Sequence, residues 1–309
     1  MSPRPRILVV GSVNMDVVTP IGRLPQPGET IHVGDITLVP GGKGANAAVA
    51  AARLGGAVRF AGSVGEDAFG QELSATLERE GIDTGSLTVS DKSTGTAVIL
   101  LNEASGQNSI MVGPGANAET VAPSDPTWYA GADMLMLQLE TPVEVAVAAA
   151  RLARRQGVRV LLDPAPASAS LPSELLEAVD VLLPNESELA TLSGLPTGNL
   201  DEAATAARQL IRRSGVQEVV VTLGAQGALW VNAGSTLHLP SLSVEVVDTT
   251  AAGDTFAGAL AVALASGQAM SEALRYAVTA GALACTRRGA QPSVPYKQEV
   301  EEKMGELTK

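Results

Sequence analysis

The feature that most constrains the fold is a repeated alternation of short apolar runs with longer alanine-rich segments. Short runs without alternating polar residues are typical of strands that are buried on both faces of a parallel sheet. The segments between them have helical composition, and several end at a glycine, a common helix terminator. The apolar runs are 7–10, 57–64, 134–137, 159–162 and 219–223. This pattern predicts an α/β fold whose central sheet is mostly parallel.

A smaller set of predicted strands interrupts this alternation. Residues 96–101 and 109–112 are apolar runs separated by a polar turn, which is a hairpin signature. A strand-like stretch at 31–39 precedes them. We expect a small accessory β-sheet, formed from about 17–40 and 94–113, within a single domain that covers 1–309. Such a sheet could serve as a lid that excludes water from a site.

Charge and cysteine content argue against several classes of function. The 309 residues include 33 acidic and 21 basic side chains, which gives a net charge of −12. Nucleic acids and anionic membranes are therefore not expected as partners. Cys285 is the single cysteine, and its apolar neighbours predict a buried thiol in a reducing compartment. The first apolar run is too short for a signal peptide, so we expect a cytoplasmic protein.

The stretch 246–256 joins a strand-like valine pair to a helical segment through a turn of small residues. The first N–H groups of a helix have no partner within the helix, so Ala251, Ala252 and Gly253 are candidates for an anion site. Asp254 follows at the predicted helix start, where its carboxylate could take a proton from a nucleophile aimed at a bound phosphate. This combination indicates phosphoryl transfer. The alternative is that Asp254 only caps the helix.

Polar residues also follow the first predicted strand. Ser12, Asn14 and Asp16 lie after it, and the carboxyl ends of strands in open α/β sheets bind ligands. The alternative is that Asn14 and Asp16 form Asx turns. The glycine-rich segment 41–46 comes next, and it would let a polyhydroxyl ligand approach, with Lys43 and Asn46 as donors. A structural turn competes with this interpretation, and the spacing fits neither a Walker loop nor a dinucleotide-binding fingerprint.

Two further motifs follow later strands. Asn185 and Glu188 could hold a water-coordinated magnesium ion, since magnesium prefers oxygen ligands. The alternative is that the acidic residues here are ordinary first-turn acids of a helix. Thr222, Gly224 and Gly227 stand at the end of another predicted strand, where they could approach nucleotide phosphates.

With these motifs in view, the chain resembles the ribokinase family of ATP-dependent sugar kinases, which are also called PfkB-type. Segments 11–16 and 41–46 match its amino-terminal signature, 185–188 its magnesium motif and 248–256 its carboxyl-terminal signature. The resemblance spans nearly the whole chain. It implies a Rossmann-like three-layer α/β sandwich with a small β-sheet lid. Ala47 departs from the family pattern, which commonly has glutamine there, but this position is not a direct ligand.

The resemblance also implies an activity, namely phosphorylation of D-ribose at its 5-hydroxyl by ATP, in a homodimer that pairs through its lids. It implies that Asp254 is the general base and that the backbone of Ala251, Ala252 and Gly253 forms an anion hole. The implied sugar ligands are Asn14, Asp16, Gly42, Lys43, Asn46, Glu140 and Asp254. The implied ATP contacts are Asn185, Thr222, Gly224, Gly227 and Gly253.

Two metal ions belong to the same expectation. Mg²⁺ would be held through water by Glu188, and a monovalent cation, K⁺, would order the loop beside the anion hole. The implied ligands of the monovalent cation, several of them through backbone carbonyls, are Asp248, Thr250, Ala284, Arg287, Gly289 and Ser293. The open alternatives are a kinase for 2-deoxyribose, another sugar or a nucleoside, and a sugar-binding regulator without catalysis. An intact Asp254 argues against the regulator, since binding alone needs no base.

Overall fold

The computed structural model describes residues 4–102 and 108–307. In chain order its strands are β1 (Arg6–Val10), β2 (Asn14–Ile21), β3 (Thr37–Gly41), β4 (Ala57–Gly65), β5 (Asp83–Ser90), β6 (Gly95–Asn102), β7 (Asn108–Gly113), β8 (Met134–Leu137), β9 (Arg159–Leu162), β10 (Val181–Leu182), β11 (Glu218–Thr222), β12 (Ala228–Asn232) and β13 (Thr236–Leu239). Its α-helices are α1 (Lys43–Arg53), α2 (Ala68–Arg79), α3 (Val143–Arg155), α4 (Ser173–Leu176), α5 (Glu186–Ser193), α6 (Leu200–Ser214), α7 (Ala252–Ala265), α8 (Met270–Ala284) and α9 (Lys297–Leu307). Within the described residues, none of the helices is both long and apolar enough to cross a membrane.

The larger sheet has nine strands in the order β13-β12-β11-β10-β9-β8-β1-β4-β5. The strands from β11 to β5 all run parallel to their neighbours. Strands β12 and β13 extend one edge in antiparallel fashion. The prediction of a mostly parallel central sheet is therefore confirmed.

Helices cover both faces of this sheet. Successive side chains of a strand point to opposite faces, so Ile7 and Val9 of β1 enter one hydrophobic cluster while Leu8 and Val10 enter the other. The first cluster contains the buried faces of α1, α7 and α8, and the second contains those of α3, α5 and α6. The predicted three-layer sandwich is confirmed.

Helices α1 and α7 pack closely through small residues. A Cβ atom on Gly258 of α7 would lie 2.6 Å from the Cβ atom of Ala50 of α1, so a larger side chain would force the helices apart. The alanine-rich composition of both helices thus permits a short interaxial distance. This contact matters for the site, because Lys43 and Asn46 lie in the first turn of α1 and Asp254 lies in the first turn of α7.

The second, smaller sheet has the order β3-β2-β6-β7. This confirms the small sheet and its hairpin, although the turn predicted at 103–108 lies largely outside the described residues. The prediction for 31–39 was wrong over most of its length, because pairing with β2 starts only at Thr37 and continues to Gly41. The Asx-turn alternative was also wrong, since Asn14 and Asp16 lie in β2 itself.

Two predictions around α7 were wrong. Val246 and Val247 are 62% and 49% exposed and form no strand in the described part of the chain. The backbone N–H of Val247 donates instead to the carbonyl oxygen of Cys285 at 2.8 Å, which holds the segment against the end of α8. Cys285 itself is half-buried rather than buried.

Candidate active site

A polar cluster lies where the carboxyl ends of β1, β8 and β9 meet the first turns of α1 and α7. Lys43 is at its centre, with Nζ 3.5 Å from Asp163 Oδ2 and 3.7 Å from Asp254 Oδ1. Burial lowers the pKa of Lys43, but Asp163, Asp254 and Glu140 raise it by more, so this pKa lies above its usual range. The Lys43 ammonium therefore stays charged and links elements that are distant in sequence.

Asp254 is 7% exposed in the first turn of α7. Its Oδ2 atom accepts a hydrogen bond from Asn46 Nδ2 at 2.8 Å. The residue at the helix N-cap is Ala251, whose φ of 57° is uncommon for a residue other than glycine, and it makes no side-chain capping bond. The capping alternative for Asp254 is wrong, because its carboxylate faces Asn46 and Lys43 rather than the helix N–H groups.

The N–H groups that precede Asp254 are partly free. The N–H of Ala252 donates to Thr249 O at 3.2 Å, whereas those of Ala251 and Gly253 have no acceptor among residues 4–102 and 108–307. Free N–H groups at the start of a helix attract anions. An anion placed here could accept from the N–H groups of Ala251 and Gly253 directly, and from that of Ala252 only after its bond to Thr249 broke. The anion hole itself stays a prediction.

Other members of the cluster are carboxylates and amides with incomplete pairing. Burial, followed by the charges of Glu140 and Asp254, raises the pKa of Asp16 to about 7. Glu140 Oε2 accepts from Ser12 Oγ at 2.5 Å and from the Lys43 N–H at 3.1 Å. Asn46 Oδ1 is buried and has no partner within the described chain. Buried polar atoms are normally hydrogen-bonded, so the cluster is suited to a polar ligand.

Two glycines allow the turn before α1 to approach β2. A Cβ atom on Gly41 would lie 2.2 Å from Asp16 Oδ2, and one on Gly42 would lie 2.7 Å from the Asn14 nitrogen. Gly42 also has a φ of 90°, which L side chains rarely adopt. The structural-turn interpretation of 41–46 is therefore correct for the glycines, and the same turn brings Lys43 into the cluster.

A cavity of about 910 Å³ lies beside the polar cluster. Its lining includes Phe256, Val278 and other apolar side chains, which suits a flat aromatic ring. Gly253 lines the cavity, whereas the next residue, Asp254, belongs to the polar cluster. The predicted ATP contacts that line the cavity are Asn185, Thr222, Gly224, Gly227 and Gly253.

The motif at 185–188 begins helix α5. Asn185 Oδ1 accepts from the Glu188 N–H at 2.9 Å, and Glu188 Oε2 accepts from the Asn185 N–H at 2.8 Å, which is a capping box. The first-turn interpretation is confirmed. Burial raises the pKa of Asp163 to about 6; the charge of Lys43 opposes this shift, and the charges of Asp254 and Glu188 add to it. The charge of Glu188 is therefore felt in the polar cluster. No group of three or more acidic, histidine or cysteine side chains in the described residues forms a metal site alone.

Hydrogen bonds connect only some of the residues that are predicted to bind a monovalent cation. Asp248 Oδ1 accepts from Thr250 Oγ1 at 2.6 Å, and Asp248 Oδ2 accepts from the Gly289 N–H at 2.8 Å. The Arg287 guanidinium pairs with Glu299, so it leaves only its backbone carbonyl for an ion. The two other predicted residues are the last residue of α8, Ala284, and the buried Ser293.

Two residues of the cluster had no predicted role: Asn117 and Asp163. Asp163 directly follows β9, so the rule that polar groups gather at the carboxyl ends of strands, which identified Ser12 after β1, could have identified it as well. Asn117 lies in a 3-10 turn after β7, and its Oδ1 accepts from the Val13 N–H at 2.9 Å. No sequence pattern marks this long-range contact.

Comparison with known proteins gives a consistent result along the chain. The model for pfkB family carbohydrate kinases matches residues 4–297. A ribokinase from Haemophilus influenzae is 39% identical over 300 residues, which cover 96% of this chain and 97% of the relative. A deoxyribokinase from Salmonella typhimurium is 36% identical, with coverage of 96% and 97%. The structure of Arabidopsis thaliana ribokinase complexed with ribose and ATP matches with a TM-score of 0.91 at 36% identity, covering 97% of this chain and 98% of that one.

The raised pKa of Asp16 predicts a pH-dependent cost in stability. The carboxyl group has a pKa of about 7 in the folded chain and 3.8 as its ordinary value, so between these pH values the unfolded chain releases a proton that the folded chain keeps. Stability from this group therefore falls as pH rises through the window. We expect Asp16→Asn to gain about 1–4 kcal/mol relative to the parent chain between pH 4 and pH 8, measured by urea unfolding.

The exposed Asp35 provides a matched control, and Asp35→Asn should show no such change with pH. A difference between Asp16→Asn and the parent that stays constant from pH 4 to pH 8 would contradict the assignment.

Proposed function

Because the chain belongs to the pfkB family of carbohydrate kinases, we propose that it transfers the γ-phosphoryl group of ATP to the 5-hydroxyl of D-ribose. One observation carries the proposal: Asp254 lies between two compartments. Its carboxylate faces the polar cluster, while the preceding residue, Gly253, lines the large cavity. A base in this position can meet an acceptor hydroxyl on one side and a phosphate on the other. Full-length similarity to ribokinases supports ribose as the acceptor.

The polar cluster has the composition expected for a sugar site. A pentose presents several hydroxyl groups, each of which both donates and accepts hydrogen bonds. Asp16 and Glu140 supply acceptors, while Lys43 supplies a charged donor. The backbone at Gly42 allows close approach. We assign the ribose contacts to Asn14, Asp16, Gly42, Lys43, Asn46, Glu140 and Asp254.

In the proposed reaction, Asp254 takes the proton of the 5-hydroxyl as that oxygen attacks the γ-phosphorus, and ADP leaves. Lys43 Nζ lies 3.7 Å from Asp254 Oδ1, and Asn46 Nδ2 donates to Asp254 Oδ2, so both oxygen atoms of the base are held in position. The N–H groups of Ala251, Ala252 and Gly253 stabilise the charge that develops on the phosphoryl oxygens. Both roles use groups that the fold already holds in place.

ATP occupies the cavity beside Gly253 in this proposal, with its phosphates toward Thr222, Gly224 and Gly227. The residues present also fit Mg²⁺, because Glu188 and Asn185 offer oxygen atoms beside the cavity and magnesium keeps several waters when it binds phosphates. When bound, the ion neutralises charge on the phosphate oxygens. Glu188 would act through water, since its carboxylate is engaged in the capping box.

Asp254→Asn is expected to lower kcat for ribose by about 10²- to 10⁴-fold, because the amide cannot accept the proton. ADP release is measured with ATP, Mg²⁺ and a panel of ribose, 2-deoxyribose, fructose and adenosine. Asp201→Asn provides a control, since Asp201 is an exposed first-turn residue of α6 that does not line the cavity.

Full activity of Asp254→Asn would overturn the mechanism. A preference for 2-deoxyribose over ribose would favour the first alternative, which similarity to a deoxyribokinase keeps open. Binding of ribose without turnover of any sugar in the panel would indicate the regulator.

We assign the monovalent cation, K⁺, to the segment that joins Asp248, Thr250 and Gly289. Burial raises the pKa of Asp248, but the hydrogen bonds from Thr250 and Gly289 lower it by more, which keeps this carboxylate ionised beside the anion hole. An ionised carboxylate and nearby carbonyls suit a hard cation. The ion would order the 248–253 loop, and Ala284, Arg287, Gly289 and Ser293 would contribute oxygen atoms.

Replacing sodium by potassium at equal ionic strength should raise turnover with ribose, because the larger ion fits a site built from carbonyls and leaves the loop ordered. Steady-state rates in the two salts provide the measurement. Equal rates would argue against the site.

We also propose that the smaller sheet is a lid and that two chains pair through it in the cytoplasm. Its first strand, β2, carries Asn14 and Asp16, so the sheet reaches the sugar site. Leu38, Ile110 and Val112 are 54%, 55% and 53% exposed on this sheet, which leaves an apolar surface for a second copy.

The pairing predicts a solution mass of twice the 31.4 kDa chain. Ile110→Asp should shift that mass toward one chain, because a charge would be buried in the interface. Sedimentation of the parent chain as a monomer at micromolar concentration would contradict the proposal.

A further inference from the structure

Asn117 is a buried residue that takes no part in the proposed chemistry. It is 1% exposed and lies in the 3-10 turn Gly115–Glu119, which follows the hairpin of the smaller sheet. Its Oδ1 accepts from the Val13 N–H at 2.9 Å, and its Nδ2 donates to Val13 O at 3.0 Å and to Asn14 Oδ1 at 2.7 Å. The side chain thus contacts the segment between β1 and β2.

The backbone partners determine the orientation of this amide. A backbone N–H can only donate and a backbone carbonyl can only accept. The oxygen of Asn117 must therefore face the Val13 N–H, and its nitrogen must face the Val13 carbonyl. Since that nitrogen also contacts Asn14, only the oxygen of the Asn14 amide can face Asn117. The nitrogen of Asn14 is left for another partner.

Steric contacts keep both amides in place. A Cβ atom on Gly95 would lie 2.1 Å from Asn117 Nδ2 and 2.4 Å from Asn14 Oδ1, so the backbone of β6 packs directly against the pair. Asn14 is 3% exposed, and its Nδ2 donates to no residue in the described chain. This nitrogen is not among the fully enclosed polar atoms that lack a partner, so it borders space open to a ligand.

The cluster needs such a donor. Asp16, Glu140 and Asp254 are acceptors when ionised, and they take the hydrogen atoms of sugar hydroxyls. The oxygen lone pairs of those hydroxyls then require donors, which are scarce, because Asn46 Nδ2 is already bound to Asp254. An Asn14 amide turned the other way would add one more acceptor to a site that has an excess of acceptors.

We propose that Asn117 is a positioning residue that holds the Asn14 carboxamide as a hydrogen-bond donor toward one hydroxyl of the sugar. The inference rests on the proposed function, since it takes a sugar to be the ligand of Asn14. Asn117 thereby contributes to selection among sugars without touching them. A sugar that lacks the hydroxyl facing Asn14 gains nothing from the arrangement.

Asn117→Asp tests the inference. The carboxylate still accepts from the Val13 N–H but donates nothing to Asn14, whose amide then turns its nitrogen to the new carboxylate and its oxygen to the sugar. We expect KM for ribose to rise about 10- to 100-fold, with kcat within about threefold of the parent and KM for ATP unchanged. Ribose and each of its monodeoxy analogues are compared by kinetics and by calorimetric titration.

The diagnostic outcome is a penalty that disappears for one monodeoxy analogue and persists for the others. An equal penalty for all sugars would show general damage to the site and overturn the inference, as would the absence of any penalty. Asn199→Asp provides the control, because Asn199 caps α6 through an oxygen that aspartate retains, and this variant should match the parent.

A second variant covers the case in which Asn117→Asp does not fold. Asn14→Asp keeps an acceptor for Asn117 and places an oxygen toward the sugar, so it should give the same single-hydroxyl pattern; binding of every sugar as in the parent would overturn the inference. Failure of the proposed function is distinguished by the parent chain itself. A parent that binds no sugar overturns both proposals, whereas one that prefers another sugar is tested with the monodeoxy analogues of that sugar.

Discussion

The site depends on one positive charge placed among carboxylates. Lys43 lies within 3.7 Å of Asp163 and Asp254, which come from separate elements of the fold. Carboxylates gathered in a buried region would otherwise raise each other's pKa values and retain their protons. Asp16, to which no ion pair is found among the described residues, shows the combined effect: burial, followed by the charges of Glu140 and Asp254, raises its pKa to about 7. The ammonium thus offsets the repulsion between Asp163 and Asp254 and holds both carboxylates at one site.

The packing of the main sandwich is what brings this charge into position. Gly258 lets α7 approach α1, and the backbone of Gly44 lies close to Ser12, where a Cβ atom would be 2.6 Å from the Ser12 nitrogen. These two contacts bring α1 against α7 on one side and against the end of β1 on the other. The short distances between Lys43, Asn46 and Asp254 thus follow from small residues that have no side chain in the site themselves.

The sequence predicted the parts of the fold whose signals are local. Buried runs such as 134–137 lie in the middle of the sheet, where both faces are apolar. Strands β5 and β13 were not predicted, because they form the two edges of the sheet and carry polar, half-exposed residues. Val246 and Val247 have strand-forming side chains but remain exposed, since propensity does not show whether a neighbouring strand is available.

The same limit applies to the candidate site. The family motifs identified Lys43 and Asp254 as members of the cluster. Their positions, in a glycine-rich turn and in the first turn of a helix, follow from the residues next to them in sequence. Asn117 was missed because its role arises from a contact across a long sequence separation, to Val13. The position of Asp163 directly after β9 is a local signal, but its ion pair with Lys43 is not. A local pattern contains no information on which of many polar residues will meet another after folding.

The position of β2 has a consequence for the use of ATP. This strand belongs to the smaller sheet, yet it begins with Asn14 and Asp16, which face the polar cluster. In the proposed assignment the sugar, and not the nucleotide, touches the sheet that we propose as a lid. A lone water molecule offers too few contacts to hold that sheet in place. Hydrolysis of ATP in the absence of sugar would then be slow because the smaller sheet is not held over the site, however strong a base Asp254 is.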